Sequence, residues 1–104
     1  MRLLDVVVEE YIAMVEFWEY NNEIENDRIV VEREEFKKAL ERNAYMTFAA
    51  KTRIYKDLSL IIHDKNNYTM PYKDKELKKT VRKVIINFKA YKAIKHLYDT
   101  VINI

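Results

Sequence analysis

Glycine is absent from this chain of 104 residues, and proline occurs only once. Glycine is the residue that takes positive φ at no steric cost and lets a backbone approach a phosphate closely. Its absence excludes a Walker A loop, a dinucleotide-binding fingerprint and a nucleophile elbow. Asparagine tolerates left-handed φ next best, so we expect the chain to turn at Asn21–Asn22, Asn43 and Asn66–Asn67.

Charge is distributed unequally along the chain. Residues 1 to 35 hold three basic and eleven acidic side chains, a net charge of −8, whereas residues 36 to 104 hold sixteen basic and six acidic ones, a net charge of +10. Clustered basic charge is the electrostatic footprint of nucleic-acid binding, so the pattern favours a polyanion partner. The alternative is that the acidic part simply neutralises the basic part in surface salt bridges.

Length and composition predict one cytoplasmic domain. A chain of 104 residues fits one domain, and the absence of cysteine excludes disulfides and thiolate metal sites. No run of about 18 apolar residues occurs, so we expect no membrane span, and acidic residues near the N-terminus argue against a signal peptide. Abundant Ile, Lys, Asn and Tyr indicate AT-rich coding DNA, which is typical of a low-GC bacterium, plasmid or phage.

The first half of the chain predicts helices around one short strand. Residues 3–21 have apolar side chains at helical spacing in two adjacent strips, which predicts a long first helix. The β-branched residues 29–31 predict a short strand. Residues 32–43 and 47–59 predict two helices joined by a short turn, with Thr47 as the N-cap of the second, and this matches a helix-turn-helix unit.

The helix predicted at 47–59 has two distinct faces. At helical spacing Ala50, Ile54 and Leu58 share one direction, which we assign to the core. Arg53 and Lys56 point the opposite way together with small residues and Thr52, and such a face suits a major groove, where arginine reads guanine edges. The alternative is an ordinary solvated surface, since many exposed helix faces carry lysine and arginine.

Residues 60–73 predict a basic hairpin. Two β-prone runs flank Lys65–Tyr68, and a two-residue loop at Asn66–Asn67 can supply the positive φ that a type I′ turn requires. Lys73 follows close behind. The hairpin would therefore form a basic wing after the third helix.

The order of helix, short strand, helix, turn, helix and hairpin resembles the winged helix-turn-helix family of DNA-binding domains. The resemblance covers about Leu3 to Lys73 and rests on element order and charge. It implies a mainly α fold with a small β-hairpin, in which the third helix enters the major groove and the wing touches phosphates or the minor groove. Carried onto this sequence, it implies double-stranded DNA as the partner and the following contact residues: Thr47, Lys51, Thr52, Arg53, Lys56, Lys65, Asn66, Asn67, Tyr68 and Lys73.

Residues 75–102 predict a C-terminal helix, as one helix or two, although the β-branched run Val84–Ile86 leaves a strand open as an alternative. A winged-helix core does not need this segment, so its apolar stripe must be buried elsewhere. Twofold pairing is the commonest closed solution, which predicts a homodimer made by the first and last helices. The predicted interface residues are Leu3, Val7, Met14, Phe17, Ile94, Leu97 and Val101.

Catalysis has little support in the sequence. His63 and His96 are the only histidines, and they lie on different predicted elements with no nucleophile paired to either. No spacing of histidine and carboxylate indicates a metal site. We therefore expect a non-enzymatic protein with no cofactor and no metal.

Two classes of function remain. The first is a sequence-specific DNA-binding protein of a mobile element. It would be either a transcriptional regulator or an accessory factor at a plasmid transfer origin, similar to the small winged-helix relaxosome proteins of conjugative plasmids, with a relaxase or other conjugation protein as a partner. The second is a helical adaptor whose basic C-terminal helix binds an acidic partner protein.

Overall fold

In the computed structural model, the backbone of residues 2–102 and the side chains of residues 2–100 are described. Four helices and a small antiparallel sheet of four strands make up the fold. In chain order they are α1 (Leu3–Asn21), β1 (Arg28–Val31), α2 (Arg33–Glu41), α3 (Phe48–Asp57), β2 (Ile61–Ile62), β3 (Met70–Asp74), β4 (Lys79–Asn87) and α4 (Phe88–Ile102). Within the described range, no helix combines the length and the apolar character that crossing a bilayer requires.

Strand β4 is the organising element of the sheet. It pairs antiparallel with β1, β2 and β3, so that Val30 and Ile62 both lie opposite Ile85, and Tyr72 lies opposite Val81. Four residues, 75–78, connect β3 to β4. Strands β3 and β4 therefore form a hairpin, and the turn at 75–78 joins them.

The predicted hairpin within residues 60–73 is wrong in its pairing. Strands β2 and β3 occupy that segment, but each pairs with β4 and they do not pair with each other. The Asn66–Asn67 segment is consequently a loop between two strands and not the tip of a wing. The nine-residue β4 offers a longer hydrogen-bonded ladder than a two-strand pairing within 60–73 could form.

The predicted C-terminal helix at 75–102 is also corrected. Its first part is the hairpin turn and strand β4, and only Phe88–Ile102 is helical. Val84, Ile85 and Ile86 are all buried. Val84 and Ile86 belong to the main core on one face of the sheet, whereas Ile85 lies on the other face with Val30. A strand buries β-branched side chains on both faces without the loss of χ1 freedom that a helix imposes.

Aromatic side chains from α1, α2, α3 and α4 form the centre of the core. Tyr11 of α1 and Tyr55 of α3 meet edge to face with ring centroids 5.4 Å apart. The Tyr11 hydroxyl donates a hydrogen bond of 2.9 Å to the carbonyl oxygen of Leu60, and burial raises the pKa of this phenol. The contact ties the middle of α1 to the end of the segment that leads into β2.

Turns occur near the predicted asparagines, but by another mechanism. Positive φ occurs at four non-glycine residues within the described chain, namely Asn26, Asp27, Ser59 and Lys78. Asn21 and Asn22 instead end α1 with their side chains, because their Nδ2 atoms donate to the carbonyl oxygens of Phe17 at 2.8 Å and Trp18 at 2.9 Å. These bonds satisfy carbonyl groups that a helix end leaves without an intrahelical partner.

Candidate nucleic-acid interface

Helix α3 has a well-defined beginning and end. The predicted N-cap Thr47 is confirmed, since its Oγ1 accepts a hydrogen bond of 3.1 Å from the Ala50 amide. The helix ends where Ser59 takes a φ of 56°. There the Ser59 amide donates to the carbonyl oxygen of Lys56, and the Leu60 amide donates to that of Tyr55. This is the Schellman pattern, with serine in the place of the usual glycine.

The face that α3 buries differs from the prediction. Lys51 is fully buried and Thr52 is 7% exposed, with the Thr52 hydroxyl donating to the carbonyl of its own helix at Ala49. Leu58, which was predicted to face the core, is 45% exposed. Lys51 and Thr52 were predicted to contact DNA, and this is wrong because neither side chain reaches the surface. Arg53 remains exposed.

The ammonium group of Lys51 lies in a polar cluster between three helices. Its Nζ donates to the carbonyl oxygens of Leu40 at 2.6 Å and Asn43 at 2.7 Å, and lies 3.0 Å from Oε1 of Glu10 on α1. The Tyr45 hydroxyl donates to the same carboxylate at 2.9 Å. Burial and this hydrogen bond raise the pKa of Tyr45. The cluster joins α1 to the C-terminal end of α2 and the turn before α3.

The loop between β2 and β3 packs against α2 and α3. The half-buried ring of Tyr68 stacks on Phe36 with centroids 5.8 Å apart and meets Phe48 edge to face at 5.2 Å. Arg33 Nε also donates to the Tyr68 hydroxyl at 3.3 Å. Tyr68 was predicted to contact DNA, but its ring faces are occupied by protein. Three other predicted contact residues in this loop are exposed, namely Lys65, Asn66 and Asn67.

The end of the β3–β4 hairpin is strongly basic. Asp74 Oδ1 accepts hydrogen bonds from the amides of Glu76 at 2.9 Å and Leu77 at 3.0 Å, which holds the pKa of this carboxyl below its usual value. Four lysines at this end of the hairpin are exposed, namely Lys73, Lys75, Lys78 and Lys79.

Sequence reasoning identified only Lys73 of these four as a site residue, because it assigned the other three lysines to a helix. The available signal was Asp74, since aspartate at the first position of a turn accepts bonds from the amides that follow it. That signal would have marked a turn directly after the β-prone run at residues 69–72.

Ion pairs decide which cations remain available. Among the described residues, four ion pairs join acidic residues of the segment 1–35 to basic residues further along the chain, namely Lys51–Glu10, Lys83–Glu32, Lys92–Asp27 and Lys95–Glu16. Internal neutralisation, the alternative to a polyanion site, therefore holds for these four lysines. In the part of the chain that the structure describes, it does not extend to the remaining cations of α3 or to the four lysines at the hairpin end. There Arg53, Lys56 and the four hairpin lysines form no ion pair within 4.0 Å.

The predicted dimer residues fall into two groups. Val7 is fully buried in the core, so its assignment to an interface is wrong, and Met14 and Ile94 are half-buried against the same core. Three of the predicted residues are more than half exposed, namely Leu3, Phe17 and Leu97. Val101 has a side chain outside the described residues.

The site has no arrangement of metal ligands. Among the described residues, no three histidine or carboxylate side chains are grouped closely enough to hold a metal ion.

In comparisons with known proteins, the chain matches no family model, and no curated protein matches it significantly. The fold and the distribution of exposed charge are therefore the features that bear on function.

Proposed function

We propose that the protein binds double-stranded DNA as a winged helix-turn-helix protein. The observation that carries the proposal is a set of cations without a carboxylate partner among the described residues. They are the exposed Arg53 and the half-buried Lys56 on α3, and the four exposed lysines at the end of the β3–β4 hairpin. By contrast, four of the five ion-paired lysines among the described residues of the basic part meet acids of residues 1–35, namely Lys51, Lys83, Lys92 and Lys95. Cations that a protein leaves free in one region raise the local potential, which attracts the phosphate backbone.

The order of elements supports the family assignment. Helix α1, strand β1, the helix pair α2–α3 and a hairpin follow one another as they do in winged helix-turn-helix domains. In that arrangement α3 is the recognition helix, and Arg53 and Lys56 are its candidate readers of base edges. The hairpin β3–β4 takes the part of the wing, which moves the predicted wing contacts from Asn66–Asn67 to residues 73–79.

We propose two roles for such a protein, both on a mobile element. It is either an accessory factor at a plasmid transfer origin, with a relaxase or another conjugation protein as partner, or a transcriptional regulator. Both roles require sequence-specific binding to a duplex, so the same interface serves either. Neighbouring genes distinguish them, because transfer genes accompany the first role and a divergent promoter the second.

The same proposal includes a homodimer. Phe17 on α1 is 61% exposed and Leu97 on α4 is 63% exposed, and large apolar residues exposed on two packed helices support a subunit contact. A twofold pair would present two copies of α3, as palindromic sites require.

The adaptor alternative is weakened by the contacts of the C-terminal segment. Lys92 Nζ lies 3.0 Å from Asp27, and Lys95 Nζ lies 2.7 Å from Glu16. With these two lysines engaged within the chain, the described part of α4 keeps only Lys89 as a lysine without an ion pair, so it offers less charge to an acidic partner protein. The four exposed lysines at the hairpin end, in contrast, form no ion pair within 4.0 Å among the described residues.

The test is a fluorescence anisotropy titration of a labelled random-sequence duplex at several salt concentrations. With about six phosphate contacts, the slope of log K against log salt should be roughly −5. A slope near zero, or no binding at low salt, would overturn the proposal. An acidic peptide of equal net charge serves as the competitor, since an adaptor would bind it in preference to DNA.

A further inference from the structure

The end of the β3–β4 hairpin presents a leucine among charged residues. Leu77 is 58% exposed and stands between Glu76 and Lys78, with further lysines on both strands. A single exposed leucine is ordinary on a protein surface. Leu77 differs from an ordinary exposed leucine because it lies in a hairpin turn whose backbone is held by hydrogen bonds.

The turn that carries Leu77 is fixed by two kinds of constraint. The Asp74 carboxylate accepts hydrogen bonds from the amides of Glu76 and Leu77 itself, at 2.9 and 3.0 Å. Lys78 then takes a φ of 54°, a left-handed conformation that is sterically unfavourable for a residue with a Cβ. These constraints define the backbone of the turn and place the exposed Leu77 side chain at its tip before any ligand binds.

We propose that Leu77 is a wedge that enters the minor groove and separates two stacked base pairs, so that the protein bends the DNA it binds. This inference rests on the proposed DNA-binding function. Apolar side chains at such positions partly unstack a base step and kink the duplex toward the major groove. The lysines around Leu77 would contact phosphates on both sides of the groove. Glu76 is the one acidic side chain in the four-residue turn.

The wedge defines the class of DNA that the protein prefers. Pyrimidine–purine steps such as TA and CA/TG unstack at the lowest cost, so they should occupy the position under Leu77. Specificity at that position would come from deformability and not from hydrogen bonds to base edges. Arg53 on α3 would read a separate part of the site.

The experiment measures bending and unstacking separately from affinity. A duplex of about 30 base pairs has a donor and an acceptor dye at its ends and 2-aminopurine beside a central TA step. The wild-type protein should raise both energy transfer and 2-aminopurine fluorescence. Leu77→Ala should return both signals to those of the free duplex, while affinity falls by less than about tenfold, because phosphate contacts carry most of it.

Two further variants serve as controls. Leu77→Met keeps an apolar wedge and should retain both signals. Ile24→Ala truncates another exposed apolar residue, 42% exposed between α1 and β1, and should change neither signal. All of these side chains are exposed, so the thermal midpoints should stay close to that of the wild type.

The outcomes separate the wedge from the proposed function. If the wild type binds the duplex without a change in either signal, or if Leu77→Ala bends it equally well, the wedge is overturned and DNA binding stands. If the wild type does not bind the duplex at all, the proposed function fails and the wedge fails with it.

Discussion

Lys51 of α3 and Glu10 of α1 form an ion pair inside the protein, with 3.0 Å between Nζ and Oε1 and less than a tenth of either side chain exposed. The lysine also donates to the carbonyl oxygens of Leu40 and Asn43 at the end of α2. One side chain therefore neutralises a buried carboxylate and satisfies carbonyl groups at a helix end. The position of α3 relative to α1 and α2 depends on this pair.

Lys51→Met should destabilise the protein by about 3 to 5 kcal/mol, because it leaves Glu10 buried without its cation. Combining it with Glu10→Leu should recover part of this loss, since both charges are then absent. Urea unfolding followed by circular dichroism measures the effect. Glu19→Ala, at an exposed carboxylate of the same helix, should stay within about 0.5 kcal/mol of the wild type. An equally small change for Lys51→Met would contradict the structural role of the pair.

Lys75→Gln with Lys78→Gln should weaken binding to every duplex and lower the magnitude of the salt slope by about two, one for each lost phosphate contact. Lys92→Gln with Lys95→Gln removes the same charge from lysines that are paired to Asp27 and Glu16. The second double variant should leave the slope nearly unchanged. Anisotropy titrations in parallel salt series give both values. Equal slopes for the two double variants would show that overall charge, and not the hairpin, governs binding.

Arg53→Ala should weaken binding to the specific site by about 1 to 3 kcal/mol and relax the preference for one base pair. The exposed position of Arg53 on α3 is the reason, because a guanidinium there is free to form bidentate bonds with guanine. A selection from a randomised duplex pool, read by sequencing, measures the preference. Arg28→Ala on β1 is the matched control. If both variants act alike on specific and random duplexes, α3 does not read the sequence.

The hairpin turn should lose order in acid. The pKa of Asp74 is lowered mainly by the hydrogen bond from the Leu77 amide, so its stabilising effect is complete above the unfolded-state pKa of about 4. The effect is lost as the pH falls through the lower, folded-state pKa. Amide chemical shifts of Glu76 and Leu77 in a pH titration report this transition. In Asp74→Asn the transition should disappear, whereas Asp99→Asn on α4 should leave it intact.

The proposed homodimer should separate when charge is placed on its exposed apolar residues. Phe17→Glu with Leu97→Glu should give folded monomers that bind DNA more weakly, because both side chains are exposed in the single chain. Light scattering at micromolar concentration should give twice 12.6 kDa for the wild type and 12.6 kDa for the variant. Val7→Glu is unsuitable as a test, since Val7 is buried and the variant would unfold. A wild-type mass of 12.6 kDa would rule out this assembly.

Local patterns in the sequence determined much of the first half of the fold. The helix predicted at 3–21 coincides with α1, residues 29–31 lie within β1, and Thr47 caps α3 as predicted. These features depend on residues near one another in the chain, namely apolar spacing, β-branched runs and a capping hydroxyl. The charge difference between the two parts is likewise a property of the sequence itself.

Tertiary structure decided the features that depend on distant residues. Val81, Val84 and Phe88 fit a helical stripe by spacing, yet the first two lie in β4, because pairing with β1 and β3 satisfies its backbone and buries its side chains on both faces. Strand pairing of this kind joins residues that are distant in the sequence, so the local pattern of a segment does not determine whether it becomes a strand.

Contacts between residues that are distant in the sequence also determine which face α3 buries and where the candidate interface lies. The sequence alone predicts a solvent-exposed lysine at position 51. Its burial is favourable because Glu10, 41 residues earlier, supplies the opposite charge and two carbonyl groups accept its remaining hydrogen bonds. The sequence determined that this protein has an excess of cations in its second part. Folding decided which of them are neutralised by distant carboxylates and which remain exposed on α3 and the hairpin, because an ion pair depends on distance in space and not along the chain.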